Sequence, residues 1–387
     1  MQKSNHGRVV WEPAETRIIE RRAAAIRDPI ERLRYLRHAS VSDPPRSRAP
    51  ARLALVVLCV LIMQSGSGIG GRLREAPRAL RPAPSLRRAR AEVVDASMPP
   101  PATWLVDQTK ESEVYSNGLR IEREFEIANK PRSYSLIDRA SLEETGPLQS
   151  QPAGIVFHIT ESDQAPFEAR QNRALNRLGR DLLAYVRGRR AYHFVIDRFG
   201  RVFRVVLESD AANHAGYSIW ADSRWAYLNL NNSFLGVAFE ARTEANDPPV
   251  DEAQLNAART LVAVLRDKYR IAAANCVTHA QVSVNPDNLR IGFHTDWGAG
   301  FPFQKLDLPD NYQSPSPAVA LFGFEHDDSY RESTCPRLWH GLSTAEEQIR
   351  DSAAHNGLTL TQYRILLQKR YRQVLSVLRE RTETQEQ

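Results

Sequence analysis

The stretch Gly154-Ile-Val-Phe-His-Ile-Thr160 decides the fold. Ile155-Val-Phe157 is a short apolar run of the kind that fills a buried strand, and Thr160-Glu-Ser-Asp163 turns polar directly after it. His158 therefore falls at a strand end, where the backbone is held and the side chain faces a cleft. Working outward, two later positions share that placing. His279 follows the helix-like segment Asp251 to Tyr269 and the short run Asn275-Cys-Val-Thr278. Asp296 lies in Gly292-Phe-His-Thr-Asp-Trp-Gly-Ala-Gly-Phe-Pro-Phe303, where glycines let the backbone wrap closely and Trp297, Phe301 and Phe303 pin the loop. Two imidazoles and one carboxylate, with a fourth position open, are what a hydrolytic zinc ion requires.

Six motifs occur in a fixed order: His158-Ile-Thr160, Tyr192-His-Phe-Val-Ile-Asp-Arg-Phe-Gly200, Asn213-His-Ala-Gly216, Asn232-Ser-Phe-Leu-Gly-Val237, Thr278-His279, and Asp296 through Phe303. Together they resemble the type 2 N-acetylmuramoyl-L-alanine amidases, the zinc enzymes related to phage T7 lysozyme and the peptidoglycan recognition proteins. The resemblance covers roughly residues 150–305, under half of the chain. It implies an α/β fold with a mixed central sheet flanked by helices, and a Zn2+ ion on His158, His279 and Asp296. It also implies hydrolysis of the amide between N-acetylmuramic acid and L-alanine, with peptidoglycan as partner. The alternative is a module that binds muropeptide without cutting it.

Two positions depart from the commoner pattern. Ala238 stands where many relatives carry a catalytic glutamate, which leaves two candidate bases, Glu240 one strand repeat further on and Tyr192. His294 replaces a lysine two residues before the last ligand, where it is placed to steady a developing oxyanion. A second reading makes His294 a ligand, with Asp296 holding it from behind. The candidate substrate contacts are His193, His214 and Trp297, and for His193 a structural hydrogen-bonding role is an equal alternative.

The chain has 387 residues, 42% of them hydrophobic, and 23 prolines, more length than one domain needs and enough apolar content for a packed core. Its net charge of +6 and sequence pI of about 9.3 raise the question of nucleic acid. The basic residues concentrate in 1–52 and 72–90, outside the amidase-like segment, and no basic motif with interleaved aromatics occurs, so an anionic membrane surface or wall polymer explains them at least as well. Leu53 to Met63 is wholly apolar, and with Gln64 to Gly71 it makes a run of roughly 19 residues, near the minimum for a spanning helix. A retained anchor and a cleaved signal both fit. Basic residues flank both ends, so charge does not set the orientation; the expectation of a catalytic segment on the periplasmic side of a bacterial inner membrane follows from where the implied substrate lies. Of three cysteines, Cys59 lies in that apolar run, leaving Cys276 and Cys335 for at most one bridge.

The resulting organisation is a basic region 1–52, a transmembrane helix 53–71, a Pro/Arg-rich linker 72–102, a strand-rich extension 103–149, the catalytic domain 150–310 and a helical extension 311–387. Within it, Asn117-Gly118 marks a hairpin turn, and Leu175, Leu178, Leu182 and Val186 stripe a helix. The runs around Arg198-Phe-Gly200 form a second hairpin. Asp251-Glu-Ala-Gln254 is a capping box, and Ser343 caps the first of two terminal helices, ended by Asn356-Gly357.

Overall fold

A computed structural model describes residues 102–243 and 250–385. The expectations for 1–52, 53–71 and, but for Ala102, 72–102 lie outside the described residues. Among the described residues no helix is long and apolar enough to cross a membrane.

The strands run β1 (Leu105–Gln108), β2 (Ser112–Tyr115), β3 (Arg120–Glu122), β4 (Tyr134–Asp138), β5 (Glu144–Gln149), β6 (Gly154–Ile159), β7 (Phe194–Ile196) and β8 (Val202–Arg204). There follow β9 (Ile219–Ala221), β10 (Trp225–Leu228), β11 (Phe234–Phe239), β12 (Cys276–Thr278), β13 (Val284–Asn285) and β14 (Arg290–Ile291). Eight of them form one mixed sheet in the order β1-β2-β3-β8-β7-β11-β6-β12, and a separate sheet has the order β5-β4-β10-β9. The helices are α1 (Asn172–Arg189), α2 (Leu230–Ser233), α3 (Glu252–Tyr269), α4 (His279–Val282), α5 (Pro317–Phe322), α6 (Asp328–Ser333), α7 (Pro336–His355) and α8 (Leu360–Gln385).

The mixed sheet and flanking helices match the expectation from the motifs. Strand β6 is buried along its whole length because it lies between two parallel neighbours, β11 and β12. Its alternate residues supply both faces. Ile155, Phe157 and Ile159 join a large core that includes Leu255, Leu261 and Leu265 of α3, while Val156 joins a smaller cluster with Trp220 and Tyr227 of the second sheet. On that second face α1 covers Val195 and Phe203 through Leu183 and Val186. His158 points the same way as Val156, with Ala238 opposite it in register.

Several local expectations are met. Gly118 turns the β2–β3 hairpin at φ +86°, and Asp251 and Gln254 close the reciprocal capping box of α3. Others are corrected. Ser343 lies inside α7, which begins seven residues earlier because Pro336 presets the first turn and Cys335 Sγ accepts the Leu338 N–H. Cys276 and Cys335 are both free thiols.

The segments on either side of 150–310 are built into the same unit. Strands β1 to β3 extend the main sheet through the parallel pairing of β3 with β8, and buried charges reinforce that seam. Arg204 on β8 is buried and donates to Glu113 (2.6 Å), Glu126 (2.7 Å) and Glu208 (2.9 Å), and Glu208 also accepts from Lys268 of α3 (2.8 Å). For Glu208, burial pushes the carboxyl up, but Lys268, Tyr269 and Arg204 outweigh it and hold the group below its usual value. Glu126 is likewise held low, against its burial, by Arg123 and Arg204.

Two outcomes follow from this network. Arg204→Met leaves Glu208 with Lys268 alone and Glu113 with only Arg123 at 4.0 Å, and should cost about 3 kcal/mol in urea denaturation. A depressed folded pKa gives stability that is complete above the unfolded carboxylate value and is lost as pH falls through the folded one. The wild-type urea midpoint should therefore drop on acidification below about pH 4.5, and drop less in Arg204→Met.

Candidate active site

The carboxyl ends of parallel strands are where side chains converge in an open α/β sheet, and the three sequence-predicted ligands meet there. His158 is the fifth residue of β6, His279 follows β12 as the first residue of α4, and Asp296 sits on the loop after β14. One ligand atom from each lies within 4.8 Å of the others. His279 Nδ1 is 2.8 Å from Asp296 Oδ1, and His158 Nδ1 is 3.3 Å from Oδ2 of the same carboxylate. Two ligands about 2.1 Å from a shared zinc at the tetrahedral angle stand roughly 3.4 Å apart. The donor set fits that ion in type and spacing.

Electrostatics agree with the geometry. His158 is 1% exposed, and burial, with His279 beside it, pushes its imidazole down to about 4, so the ring is neutral at ordinary pH. Burial opposes ionisation of Asp296, but His279 and His158 outweigh it and hold the carboxyl well below its usual range. Neutral imidazoles and an ionised carboxylate are the forms that bind a divalent cation.

The loop carrying Asp296 is fixed from below. Tyr312 donates its hydroxyl to the Trp297 carbonyl (2.7 Å) and accepts the Phe301 N–H (3.1 Å). Tyr330 donates to the Ala280 carbonyl (2.7 Å), and the Ala280 N–H donates to the Asp296 carbonyl (3.1 Å). Residues beyond 310 therefore hold the two ligand loops together, a role for Tyr312 and Tyr330 that the sequence reading missed. Tyrosines in a helical extension carry no local signal of a partner near residue 280.

The other predicted residues fall in different places. Tyr192, at φ +54°, has its ring 5.0 Å from that of His158. Glu240 shares the face of Ala238 but is capped by α1. A methyl on Gly179 would sit 3.7 Å from its Oε2, and the carboxylate accepts the Arg198 N–H (3.2 Å), with burial pushing its pKa up. His294 lies outside the ligand group and stacks on His279 with ring centres 4.7 Å apart.

The three candidate substrate contacts all turn inward. Trp297 is 2% exposed and packs on Phe239 and Phe301, since its neighbour Asp296 faces the site and it faces the core. His193 is fully buried, with Nδ1 accepting the Gly236 N–H (2.9 Å) and Nε2 donating to the Asp210 carbonyl (3.0 Å). His214 is half-buried, and both its nitrogens face the protein, one toward His158 and one toward the Phe234 carbonyl.

Residues 148–298, which contain every site residue expected from the sequence, match the family model for N-acetylmuramoyl-L-alanine amidase. No curated protein matches the chain. Among solved structures, the LysC amidase of Clostridium intestinale URNW is 20% identical with a TM-score of 0.27, over 47% of this chain and 93% of that one. The AmiD amidase of E. coli, in complex with anhydro-N-acetylmuramic acid-L-Ala-D-gamma-Glu-L-Lys, is 23% identical with a TM-score of 0.31, over 40% of this chain and 56% of that one. AmpDh3 of Pseudomonas aeruginosa, in complex with anhydromuramic pentapeptide, is 25% identical with a TM-score of 0.30, over 44% and 64%. At these scores the likenesses add no weight of their own. The match thus assigns residues 148–298, under half of the chain, to the N-acetylmuramoyl-L-alanine amidase family, and metal-ligand residue types stand at the strand ends of that segment.

Proposed function

We propose that this chain is a zinc-dependent hydrolase of peptidoglycan that cleaves the amide joining N-acetylmuramic acid to L-alanine. The observation that carries the reading is the convergence of His158 Nδ1, His279 Nδ1 and the Asp296 carboxylate at separations suited to one tetrahedral ion, within the family-matched segment. Zinc held there supplies Lewis acidity toward a carbonyl oxygen and acidifies water.

The protein's own groups do the rest. Burial keeps His158 neutral and the neighbouring imidazoles keep Asp296 ionised, so the site is ready for a cation without rearranging its protons. His294, stacked flat on His279, is placed to donate to an oxygen that gains charge as the carbonyl is attacked. Tyr192 stands beside His158, whereas the Glu240 carboxylate is held by Arg198 N–H beneath α1, which favours Tyr192 as the group that positions or deprotonates water. The apolar run 53–71, outside the described residues, supports an envelope-side location at the bacterial inner membrane, where peptidoglycan lies.

Ala238, in place of a glutamate, favours a second reading in which the chain binds muropeptide without cutting it. Purified peptidoglycan separates the two. The proposal expects release of stem peptides with a free L-alanine amino group, abolished by chelator and restored by zinc. No release at any pH, with wall fragments still bound, supports the second reading.

Substitutions assign the roles. Asp296→Ala should lose zinc, whereas His294→Ala should retain it and lose about a hundredfold or more in turnover. Equal metal loss in both would make His294 the ligand. Tyr192→Phe should cost more turnover than Glu240→Gln, with zinc content unchanged in each. The reverse order would move the base to Glu240.

A further inference from the structure

We propose that His214 is a positioning residue that fixes the ring tautomer of His158 and thereby sets the metal affinity of the site. The proposal rests on the zinc reading above and extends it to a residue that touches neither metal nor substrate.

The constraint starts at a main-chain carbonyl. Phe234 O can only accept, so His214 Nε2, 3.2 Å away, carries a proton and donates it. Its Nδ1 faces the His158 ring, His193 backs it, and no carboxylate contact to it is found among the described residues, so the singly protonated ring keeps a lone pair on Nδ1. That lone pair meets His158 Nε2 at 3.1 Å. His158 must then donate from Nε2, which leaves the lone pair of Nδ1 aimed at Asp296 Oδ2, 3.3 Å away. Two acceptors face each other across that gap, and a shared cation is what resolves the contact. His279 has no equivalent relay, since its buried Nε2 has no hydrogen-bond partner among the described residues.

The ring of His214 is held for this task from three sides. A methyl on Gly236 would stand 2.6 Å from His214 Cγ, so only bare backbone lets the imidazole settle against β11. Asn231 Oδ1 accepts the N–H groups of His214 (2.8 Å), Ala215 (2.7 Å) and Gly216 (2.9 Å), which fixes the loop. His193, locked to the Gly236 N–H, backs the ring at 5.7 Å between centres. Both His214 nitrogens are committed inward, so a substrate contact is not its role. A ligating histidine whose second nitrogen is tied down binds metal more tightly, and losing that tie typically costs about 10–100-fold in affinity.

Two measurements on the full-length chain test this. Histidine 15N NMR of the metal-free protein should show His158 protonated at Nε2 and bare at Nδ1. Zinc affinity from chelator competition should weaken about 10–100-fold in His214→Leu and recover most of that loss in His214→Asn, whose Oδ1 occupies the place of Nδ1 and still accepts. An Nδ1-protonated His158 in the metal-free wild type overturns the proposal, as does wild-type zinc affinity in His214→Leu. Should the leucine variant not fold, the wild-type tautomer and the asparagine variant still decide it. A wild-type chain that binds no zinc refutes the zinc reading instead, and the two failures are thus told apart.

Discussion

A histidine on a strand with neighbours on both sides, almost wholly shut off from water, must have both ring nitrogens satisfied. Much of the site follows from that demand at His158. One nitrogen is met by His214, which in turn needs a loop held by Asn231 and a β11 position with no side chain. The other faces Asp296, which needs a loop brought over the ends of β6 and β12. Parallel pairing of β11, β6 and β12 places these requirements side by side, with His158 in register with Ala238 and Phe157 with Thr278.

That loop is in turn held from the far side of the core. Tyr312 binds the Trp297 carbonyl and Tyr330 binds the Ala280 carbonyl, so residues beyond the family-matched segment hold both ligand loops from below. At the other flank, β3 pairs with β8 of the main sheet, and the carboxylates around Arg204 reinforce the join. Burying four charges is costly unless each is paired, and here every carboxylate in the group has a guanidinium or ammonium partner. The flanking segments thus share the stability of the site's own scaffold.

Local patterns were legible in the sequence wherever the physics was local. The Asn117-Gly118 turn, the Asp251 capping box and the stripe of α1 all depend on neighbours within a few residues. The three ligand candidates were legible because each carries its own punctuation of strand end or glycine-rich loop. What the sequence concealed was direction and distance. Trp297 reads as a cleft aromatic, yet it turns into the core because Asp296 turns out of it. His214 reads as a groove residue, and His193 as either a groove or a structural residue, because nothing local reveals that Phe234 and Gly236, twenty or more positions away, take up their nitrogens. Ser343 has the composition of a cap, but Pro336 and Cys335 start the helix earlier.

Anomalous diffraction at the zinc edge from crystals of the zinc-loaded protein bears most directly on the central claim. The account predicts one strong peak with His158 Nδ1, His279 Nδ1 and an Asp296 oxygen each about 2.0–2.2 Å from it. A peak bound through His294 without Asp296, or no peak among these residues in zinc-loaded crystals, would contradict it.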